Sequence, residues 1–535
     1  MGERSGEWEW QAEAAAARTT AVIALGVEWI PTTRRSFSTG ASRFGGADAG
    51  NAEADQKLPG FPIRCGSQDS HLAQGVENRQ SPIFSDMSFL LTLLLSLRPV
   101  QAPRSEPPPI LSADSVRALV AARVGHPRVP GIVVGRIAGA EMLRLSEGEG
   151  ISGSTLFEIG SITKAFTGVL LADMVVRGEV ALDDPVAKYL PPGTRVPERD
   201  GIPITLRHLA THTSGLPRLP DNLAPQDWDD PYADYDAARL VAFLAAHQLR
   251  RKPGASYEYS NLGGGLLGFA LAHRTGASYG ELLRKRIFEP LRMRETGFAE
   301  SGKPARTITG HNSMGEPVPA WHFDALAGAG ALHSTLEDML GFAAAARDTV
   351  HGPLARAMAL SQRDMFRVDS TTSIGLGWHR RTRGGRTLIW HNGGTGGFRS
   401  MLVVDPGSAR AGLVLANSAL SQDELGLALL DPAVKVPPLP PARTTVPLDS
   451  ATLARYPAQY RLAPNFVISI TPRGQVGLYL QATGQQRLRL YPSSATEFFL
   501  SEVAASITFE MDSTGRVATL VLHQNGVQQR AVRER

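Results

Sequence analysis

The sequence predicts an α+β protein with an antiparallel sheet flanked by helices, a largely helical second lobe, and a small C-terminal antiparallel β-domain. Strand patterns at residues 132–145 and 387–416 enclose a middle region that is rich in Ala and Leu at helical spacing. A proline-rich stretch at residues 431–447 follows, and beyond it apolar residues alternate with polar ones. Strands from both ends of the first domain are expected to share one antiparallel sheet.

The N-terminal 102 residues differ from the rest of the chain. Residues 1–86 lack sustained periodicity, and we expect a disordered extension. The apolar run 89–97 precedes Val100-Gln-Ala102, the small-residue ending of a signal-peptidase site. Residues 87–102 are therefore expected to be a signal peptide and the protein secreted or periplasmic, with a buried helix as the alternative. Since such a signal seldom acts from inside a chain, we hypothesise that translation begins at Met87 and that residues 1–86 are not translated.

The remaining elements follow in order. A helix is expected from Ser112, a residue type that caps helix N-termini, and a long helix from Ser161 ends near Gly178. The expected strands of this domain, residues 110–430, lie at 132–137, 142–145, 387–391, 398–404 and 413–416. Residues 431–447 are expected to form a proline-rich linker, and residues 448–535 a β-meander or small barrel.

The composition argues against several classes of function. The chain has 55 basic and 51 acidic residues, so it lacks the strong basic field that nucleic-acid binding needs. Its single cysteine, Cys65, cannot form an internal disulfide. His208 and His212 are four residues apart but lack a metalloprotease glutamate, which favours a structural loop. We expect no cofactor, no metal, no nucleic acid and no stable membrane span, because the run 89–97 is too short to cross a bilayer.

The first motif with chemical meaning is Ser161-Ile-Thr-Lys164. A serine hydroxyl is a weak nucleophile unless a base is within hydrogen-bond reach. Residues three apart share one face of a helix, so Ser161 and Lys164 meet that condition. Gly160 lets a substrate approach the backbone closely, and the helix N-terminus offers N–H groups for an oxyanion. Taken by itself, the motif also fits a pair of solvated residues on a helix.

The second motif is Tyr259-Ser-Asn261, in a predicted loop that runs into three glycines. A tyrosine and an asparagine two residues apart can both face a cleft, one to handle protons and the other to donate an amide hydrogen bond. A simple turn is the alternative, because Tyr-Ser-Asn followed by glycine is also good turn chemistry.

The third motif, His391-Asn392-Gly393-Gly394, lies between two predicted strands. A glycine-rich strand edge lets a substrate lie along the strand and offers backbone N–H groups, and His391 is expected to donate to a carboxylate or carbonyl. The stretch lacks the helix and lysine of a nucleotide-binding loop. A glycine-rich hairpin turn with a buried histidine is the alternative.

The three motifs together occur in the order used by the penicillin-binding serine hydrolases, and the sequence resembles the class C β-lactamase branch of that superfamily. The resemblance extends through Leu182-Asp-Asp-Pro-Val and through residues 204–217 and 328–335, and it covers roughly residues 110–430. It implies a serine β-lactamase or penicillin-binding-type fold. The tail is similar to the small β-domains that many members carry.

The resemblance also implies roles for matching residues. Ser161 would be acylated, and Lys164 and Tyr259 would share its proton and later activate the hydrolytic water. Asn261 would hold the substrate amide. The N–H groups of Ser161 and Gly394 would form the oxyanion hole. The substrate would be a small molecule or peptide: a β-lactam, a D-amino-acid peptide or an ester.

The strand motif departs from the pattern of dedicated β-lactamases. His391 stands where they carry a lysine that grips the antibiotic carboxylate, and Asn392 replaces a threonine. His391, Asn392 and Gly393 are still expected to bind substrate, but a neutral imidazole holds a carboxylate less firmly than an ammonium group. A D-amino-acid peptidase, DD-carboxypeptidase or esterase with weak β-lactamase activity is therefore an alternative. A penicillin-binding sensor or scaffold that is acylated without turnover is another.

Overall fold

The structure is a computed structural model, and it describes residues 109–298, 308–347, 352–383, 385–474, 477–485 and 487–534. The predicted extension at residues 1–86 and the predicted signal peptide at residues 87–102 lie outside the described residues.

The described part of the first domain contains both strands and helices. Its strands are β1 (Gly131–Ala138), β2 (Glu141–Gly148), β3 (Phe157–Glu158), β4 (Glu198–Arg199), β5 (Ile202–Pro203), β6 (Gly297–Phe298), β7 (Gly310–His311), β8 (Pro317–Val318), β9 (Leu332–Ser334), β10 (Phe366–Arg367), β11 (Thr372–Ile374), β12 (His379–Arg383), β13 (Arg386–Gly394), β14 (Arg399–Asp405) and β15 (Arg410–Ala416). Its helices are α1 (Ala113–Val124), α2 (Thr163–Val176), α3 (Leu206–Ala210), α4 (Ala237–Ala246), α5 (Asn261–Thr275), α6 (Tyr279–Leu283), α7 (Glu289–Leu291), α8 (Leu336–Arg347), α9 (Gly352–Ser361) and α10 (Asp423–Ala428).

The main sheet joins the two ends of this domain. Its strand order is β10-β11-β12-β13-β14-β15-β1-β2, and neighbouring strands in this order are antiparallel. Strand β1 pairs with β15 in a register that places Ile132 opposite Ala416. The first hairpin and the late strands therefore share one sheet, as the sequence predicts.

Helices cover both faces of the sheet. Along β1, Ile132 and Val134 pack in one core cluster with Val116 of α1, whereas Val133 packs in another with Leu336 of α8. Successive side chains of a strand point to opposite faces, so β1 is buried on both of them. This explains why its sequence is almost wholly apolar instead of alternating.

Helix α2 lies in the centre of the helical lobe. Its Phe166 ring stacks on Phe342 of α8 at 3.9 Å between centroids. A Cβ at Gly168 would lie 1.8 Å from the carbonyl oxygen of Leu376, so the loop before β12 contacts the helix backbone directly. This packing fixes the position of α2, which carries Lys164.

The C-terminal domain is a closed antiparallel barrel. Its strands are β16 (Ala458–Ala463), β17 (Phe466–Arg473), β18 (Gly477–Ala482), β19 (Arg487–Pro492), β20 (Glu497–Leu500), β21 (Ala505–Met511), β22 (Val517–Gln524) and β23 (Val527–Arg533), preceded by the short helix α11 (Ser450–Leu453). Alternate residues such as Ile468 and Ile470 fill its own core. The predicted fold class is confirmed, and of the two expected forms of this domain the barrel is the one observed.

Across the described ranges, none of the helices has the length and apolar character needed to cross a membrane.

Candidate active site

Ser161 lies in a 3-10 turn, Gly160–Ile162, that leads directly into α2. Gly160 has a φ of +49°, and a Cβ at this position would lie 2.6 Å from the amide nitrogen of Gly394. Only glycine fits at this position, because the space that a side chain would need is filled by backbone. The turn therefore holds Ser161 close to the part of β13 that contains Gly394.

Lys164 lies in the first turn of α2 and is 2% exposed. Its Nζ lies 3.0 Å from Ser161 Oγ, 2.9 Å from Asn261 Oδ1 and 2.6 Å from the carbonyl oxygen of Ala329. Burial, assisted by the positive charge of Arg218, holds the pKa of Lys164 well below its usual value of 10.5. A lysine with a lowered pKa loses its proton more readily, so Lys164 can serve as a base for Ser161.

Tyr259 lies beside this pair. Lys164 Nζ lies 4.9 Å from the centroid of its ring, and the Arg218 guanidinium lies 5.2 Å from it. Burial raises the pKa of Tyr259 to about 12, although a hydrogen bond to Ser161 and the charge of Arg218 act in the opposite direction. The phenol therefore keeps its proton at neutral pH and is suited to donating a hydrogen bond or a proton.

Asn261 is the first residue of α5, and its side chain connects two parts of the site. Its Oδ1 accepts from Lys164, and its Nδ2 donates to the hydroxyl of Tyr232 at 3.4 Å. The preceding Ser260 caps the helix, since its Oγ accepts from the Gly263 amide at 2.8 Å. The structure thus brings Ser161, Lys164, Tyr259 and Asn261 together.

The glycines after Asn261 correct the expectation of a loop. They are part of α5, because the contacts that they allow outweigh their poor helix propensity. A Cβ at Gly264 would lie 3.0 Å from Cε of Lys164, and one at Gly265 would lie 2.7 Å from the Leu326 backbone. Glycine in this helix makes room for the Lys164 side chain.

His391 lies on β13 and is 1% exposed. Its Nδ1 lies 2.6 Å from the carbonyl oxygen of Asn392, and its Nε2 is buried with no hydrogen-bond partner among the described residues. Burial and the nearby charges of His379, Lys164 and His212 hold the pKa of His391 well below its usual value. The imidazole is therefore neutral. Since a carbonyl only accepts, Nδ1 carries the proton and Nε2 is an acceptor.

The side chain of Asn392 does not belong to this group. Its Nδ2 donates to the Asp423 carboxylate at 2.8 Å, whereas the His391 ring lies 6.3 Å from that of Tyr259. Successive side chains on a strand point to opposite faces, so Asn392 faces α10 when His391 faces the site. The predicted role of the Asn392 side chain in binding substrate is therefore corrected: it links β13 to α10.

The glycines of β13 lie against the turn that carries Ser161. A Cβ at Gly393 would lie 2.0 Å from the carbonyl oxygen of Ile159, and one at Gly394 would lie 2.7 Å from the Arg399 guanidinium. The backbone of β13 can approach the segment before the turn this closely only because Gly393 lacks a side chain.

Two histidines that the sequence did not assign to the site lie in it. His379 on β12 stacks on Trp390 at 4.4 Å and lies 5.0 Å from the His391 ring. Burial, with the charge of Lys164, lowers its pKa to about 4. His212 lies 4.5 Å from the Tyr259 ring, and its Nδ1 accepts from the Ser260 amide at 3.2 Å. It is a structural residue, as predicted, but one that positions the Tyr259 segment.

Three aromatic rings form a further part of the site, here called the aromatic wall: Tyr232, Trp321 and Phe323. The Tyr232 ring stacks on Phe323 at 4.7 Å between centroids and lies 5.4 Å from Trp321. Tyr232 accepts the hydrogen bond from Asn261. At the other end, a Cβ at Gly396 would lie 3.0 Å from Nε1 of Trp321. The wall thus extends from Asn261 to the segment that follows β13.

A buried carboxyl group lies behind this wall. Glu158 is 3% exposed, and its Oε1 accepts from the Trp321 amide at 3.0 Å. Burial raises the pKa of Glu158 from 4.5 to about 7. Within the described ranges, no group of three or more His, Cys, Asp or Glu side chains is arranged to hold a metal ion.

The site and fold together define a class of protein: a serine hydrolase, here with Lys164 in contact with Ser161 from one helical turn away. The family model described as Beta-lactamase matches residues 116–433. That match spans more than half of the chain, and the chain belongs to the Beta-lactamase family. Residues 442–533 match a second model, a domain of unknown function, DUF3471.

Curated relatives within this family differ in their named activities. The chain is 26% identical to Penicillin-binding protein 4* of Bacillus subtilis over 429 residues, 73% of this chain and 90% of that protein. It is 31% identical to the D-alanyl-D-alanine-carboxypeptidase/endopeptidase AmpH of Escherichia coli over 267 residues, 47% of this chain and 68% of that protein. It is 32% identical to Esterase EstB of Burkholderia gladioli over 173 residues, 31% of this chain and 44% of that protein.

Proposed function

We propose that this hydrolase of the Beta-lactamase family acts through an acyl-enzyme on Ser161, with Lys164 as the base. The observation that supports this most directly is the set of three groups around Lys164 Nζ. Two of them, Asn261 Oδ1 and the Ala329 carbonyl, can only accept hydrogen bonds, and the third is Ser161 Oγ. A neutral amine has two N–H bonds and one lone pair. Its two hydrogens match the two acceptors, and its lone pair then faces the Ser161 hydroxyl.

The proton balance of the reaction follows from that arrangement. Ser161 Oγ forms a bond to the substrate carbonyl carbon while its proton passes to Lys164, and the Ser161 and Gly394 N–H groups hold the oxyanion. The bond to the leaving group then breaks, and Tyr259 passes a proton to it and is reprotonated from Lys164. Water then attacks the acyl-enzyme and gives a proton to neutral Lys164. The bond between Ser161 Oγ and the acyl carbon breaks, Ser161 Oγ takes that proton from Lys164, and the acid product leaves.

For the substrate, we propose an acyl donor with no free carboxylate against β13, which favours esters and internal amides. The support is the state of His391, whose buried imidazole is neutral and presents Nε2 as an acceptor. A carboxylate has no hydrogen to give to such an atom, and a neutral imidazole offers it no positive charge. A substrate hydroxyl or N–H group fits instead.

A carboxypeptidase or β-lactamase activity is the second candidate, because AmpH, a relative at 31% identity, is named a D-alanyl-D-alanine-carboxypeptidase. The order of the motifs at Ser161, Tyr259 and His391 supports placement in the class C branch. We also propose a secreted or periplasmic location, which residues 87–102 support.

The test compares p-nitrophenyl acetate, which has no carboxylate, with nitrocefin, a β-lactam that has one. We expect hydrolysis of the ester by the wild-type protein, and loss of that activity in Ser161→Ala. We expect His391→Lys to raise kcat/KM for nitrocefin by about tenfold, which corresponds to about 1.4 kcal/mol, without a matching gain for the ester. Full ester hydrolysis by Ser161→Ala would contradict the nucleophile, and strong wild-type nitrocefin turnover would contradict the substrate class.

A fluorescent penicillin separates the remaining alternatives. A transient adduct with lactam hydrolysis indicates a β-lactamase, and a persistent adduct indicates a carboxypeptidase or a sensor without turnover. Ester hydrolysis without an adduct supports the proposal. In each case, Ser161→Ala should abolish any covalent label.

A further inference from the structure

Three side chains of the C-terminal barrel contact the loop at residues 227–230 of the hydrolase domain. The Arg487 guanidinium of β19 lies 3.9 Å from the ring centroid of Trp228. The Asp229 carboxylate lies 3.4 Å from the Arg473 guanidinium and accepts from the Tyr479 hydroxyl at 3.4 Å. Residues of three neighbouring barrel strands, β17 to β19, therefore converge on two consecutive loop residues.

The same loop holds the aromatic wall from the other side. The carbonyl oxygen of Asp229 accepts from Trp321 Nε1 at 3.0 Å. The Asp230 carboxylate accepts from the His322 amide at 2.7 Å and lies 2.7 Å from its Nδ1. Tyr232, another member of the wall, follows two residues later. The loop thus lies between the barrel and the aromatic wall, of which Tyr232 contacts Asn261.

The barrel contacts are of a kind that orders a loop. A cation over an aromatic ring and a charge-assisted hydrogen bond are both directional, and Arg473 Nε also donates to the Tyr479 hydroxyl at 3.1 Å, which holds the two barrel side chains to each other. Loops are the segments with most freedom in a folded domain, and a wall that is fixed in advance binds a substrate at a lower entropic cost.

We propose that the barrel is a positioning element of the active site, in which Arg473, Tyr479 and Arg487 fix the loop 227–230 and so hold the aromatic wall in place for the acyl group of the substrate. This inference rests on the proposed acyl-transfer function. None of the three barrel residues touches Ser161 or Lys164 in the contacts described above, so they are positioning residues. Their effect should fall on substrates whose acyl group is large enough to reach the wall.

The experiment uses the full chain and two esters, p-nitrophenyl acetate and p-nitrophenyl phenylacetate. In Arg487→Ala we expect KM for the phenylacetyl ester to rise roughly five- to tenfold, as the loss of a partly desolvated cation–π contact predicts. The values of kcat and KM for the acetyl ester should stay within about twofold of the wild type. Arg487→Lys keeps a cation over the ring and should recover most of the loss.

The matched control is Arg530→Ala. Arg530 also lies on the barrel and pairs with Glu510 of the same domain, but its side chain is 62% exposed and has no part in the loop contacts. If Arg487→Ala and Arg530→Ala have the same KM for the phenylacetyl ester, the inference is wrong. Equal losses for both esters, together with a lowered Tm, would likewise overturn it, because they indicate a general loss of folding.

The outcomes also separate this inference from the proposed function. If the wild-type protein shows no Ser161-dependent hydrolysis of either ester, the proposed function fails and the inference fails with it. If the wild type hydrolyses both esters and Arg487→Ala is unchanged, only the role of the barrel is overturned. A variant of the loop side, Asp229→Asn, gives an independent measurement and should raise KM for the phenylacetyl ester in the same direction.

Discussion

Replacing Glu158 with glutamine is expected to change how the stability of the protein depends on pH. The Glu158 side chain is buried, and burial raises its pKa from 4.5 to about 7. The folded state therefore keeps a proton that the unfolded chain loses as the pH rises between these two values. Ionisation of Glu158 lowers the free energy of unfolding across that window, and above it the contribution is constant.

The size of the effect follows from the two pKa values. The difference between 4.5 and about 7, at about 1.4 kcal/mol per pH unit, amounts to about 3 kcal/mol. Glutamine has nearly the same shape as glutamate but does not ionise in this pH range, and its carbonyl oxygen can still accept from the Trp321 amide. Glu158→Gln should therefore match the wild type at about pH 4 and exceed it by about 3 kcal/mol at about pH 8.

Urea unfolding, followed by tryptophan fluorescence at several pH values between 4 and 8, measures this difference. Glu149→Gln is the control, because Glu149 is an exposed residue of the same chain segment. If the gap between Glu158→Gln and the wild type stayed constant over the whole range, the assignment of a raised pKa to Glu158 would be refuted.

Three further variants test separate parts of the structure. Lys164→Met should lower kcat by about 10³, the usual contribution of a general base, with Tm unchanged or raised; a smaller kinetic loss in a p-nitrophenyl ester assay contradicts the assigned base. Gly168→Ala should cost roughly 3 kcal/mol of stability, since its Cβ would lie 1.8 Å from the Leu376 carbonyl oxygen. Gly297→Ala, a control position with open space around it, should be close to neutral. Equal urea midpoints for the two variants would argue against this packing. Asn392→Ala should leave kcat/KM within about threefold of the wild type and cost about 1 kcal/mol of stability through the lost hydrogen bond; a large drop in kcat/KM would return Asn392 to the substrate site.

The sequence predicts those strands in which the alternation of apolar and polar residues matches the alternation of buried and exposed side chains. The barrel strands alternate, as Ile468 and Ile470 do, because one face of each strand is buried in the barrel core. Strand β12 was not predicted, because His379–Arg383 is a polar and charged run with no apolar alternation. It is part of the sheet through its hairpin pairing with the neighbouring strand β13, which backbone hydrogen bonds form without any apolar alternation in the β12 sequence.

The residues of the site likewise divide into those that local spacing predicts and those that it does not. Ser161 and Lys164 are three residues apart, so helical spacing predicts their contact. The roles of Tyr259 and His391 came from the resemblance to a family, since no local rule brings such distant residues together. The assembly of the aromatic wall was not predicted, because Tyr232 and Trp321 are far apart in sequence and no local pattern links them.

The tautomer of His391 could not be read from sequence either. The residue type alone allows a donor, an acceptor or a cation. The choice is made by the carbonyl of Asn392, which takes the Nδ1 proton, and by burial, which keeps the ring neutral. The hydrogen bond from Nδ1 to the Asn392 carbonyl thus reverses the expectation that His391 donates to the substrate.

The glycines around Ser161 also limit how this enzyme can change during evolution. A Cβ at Gly160 would collide with the amide of Gly394, one at Gly377 would lie 2.0 Å from the Lys164 carbonyl oxygen, and one at Gly393 would lie 2.0 Å from the Ile159 carbonyl oxygen. Substitutions at these positions disrupt the backbone packing around Ser161 and Lys164 instead of adjusting it. New substrate ranges are therefore more accessible through the loop at residues 227–230 and the barrel side chains that contact it, and a directed-evolution library belongs there.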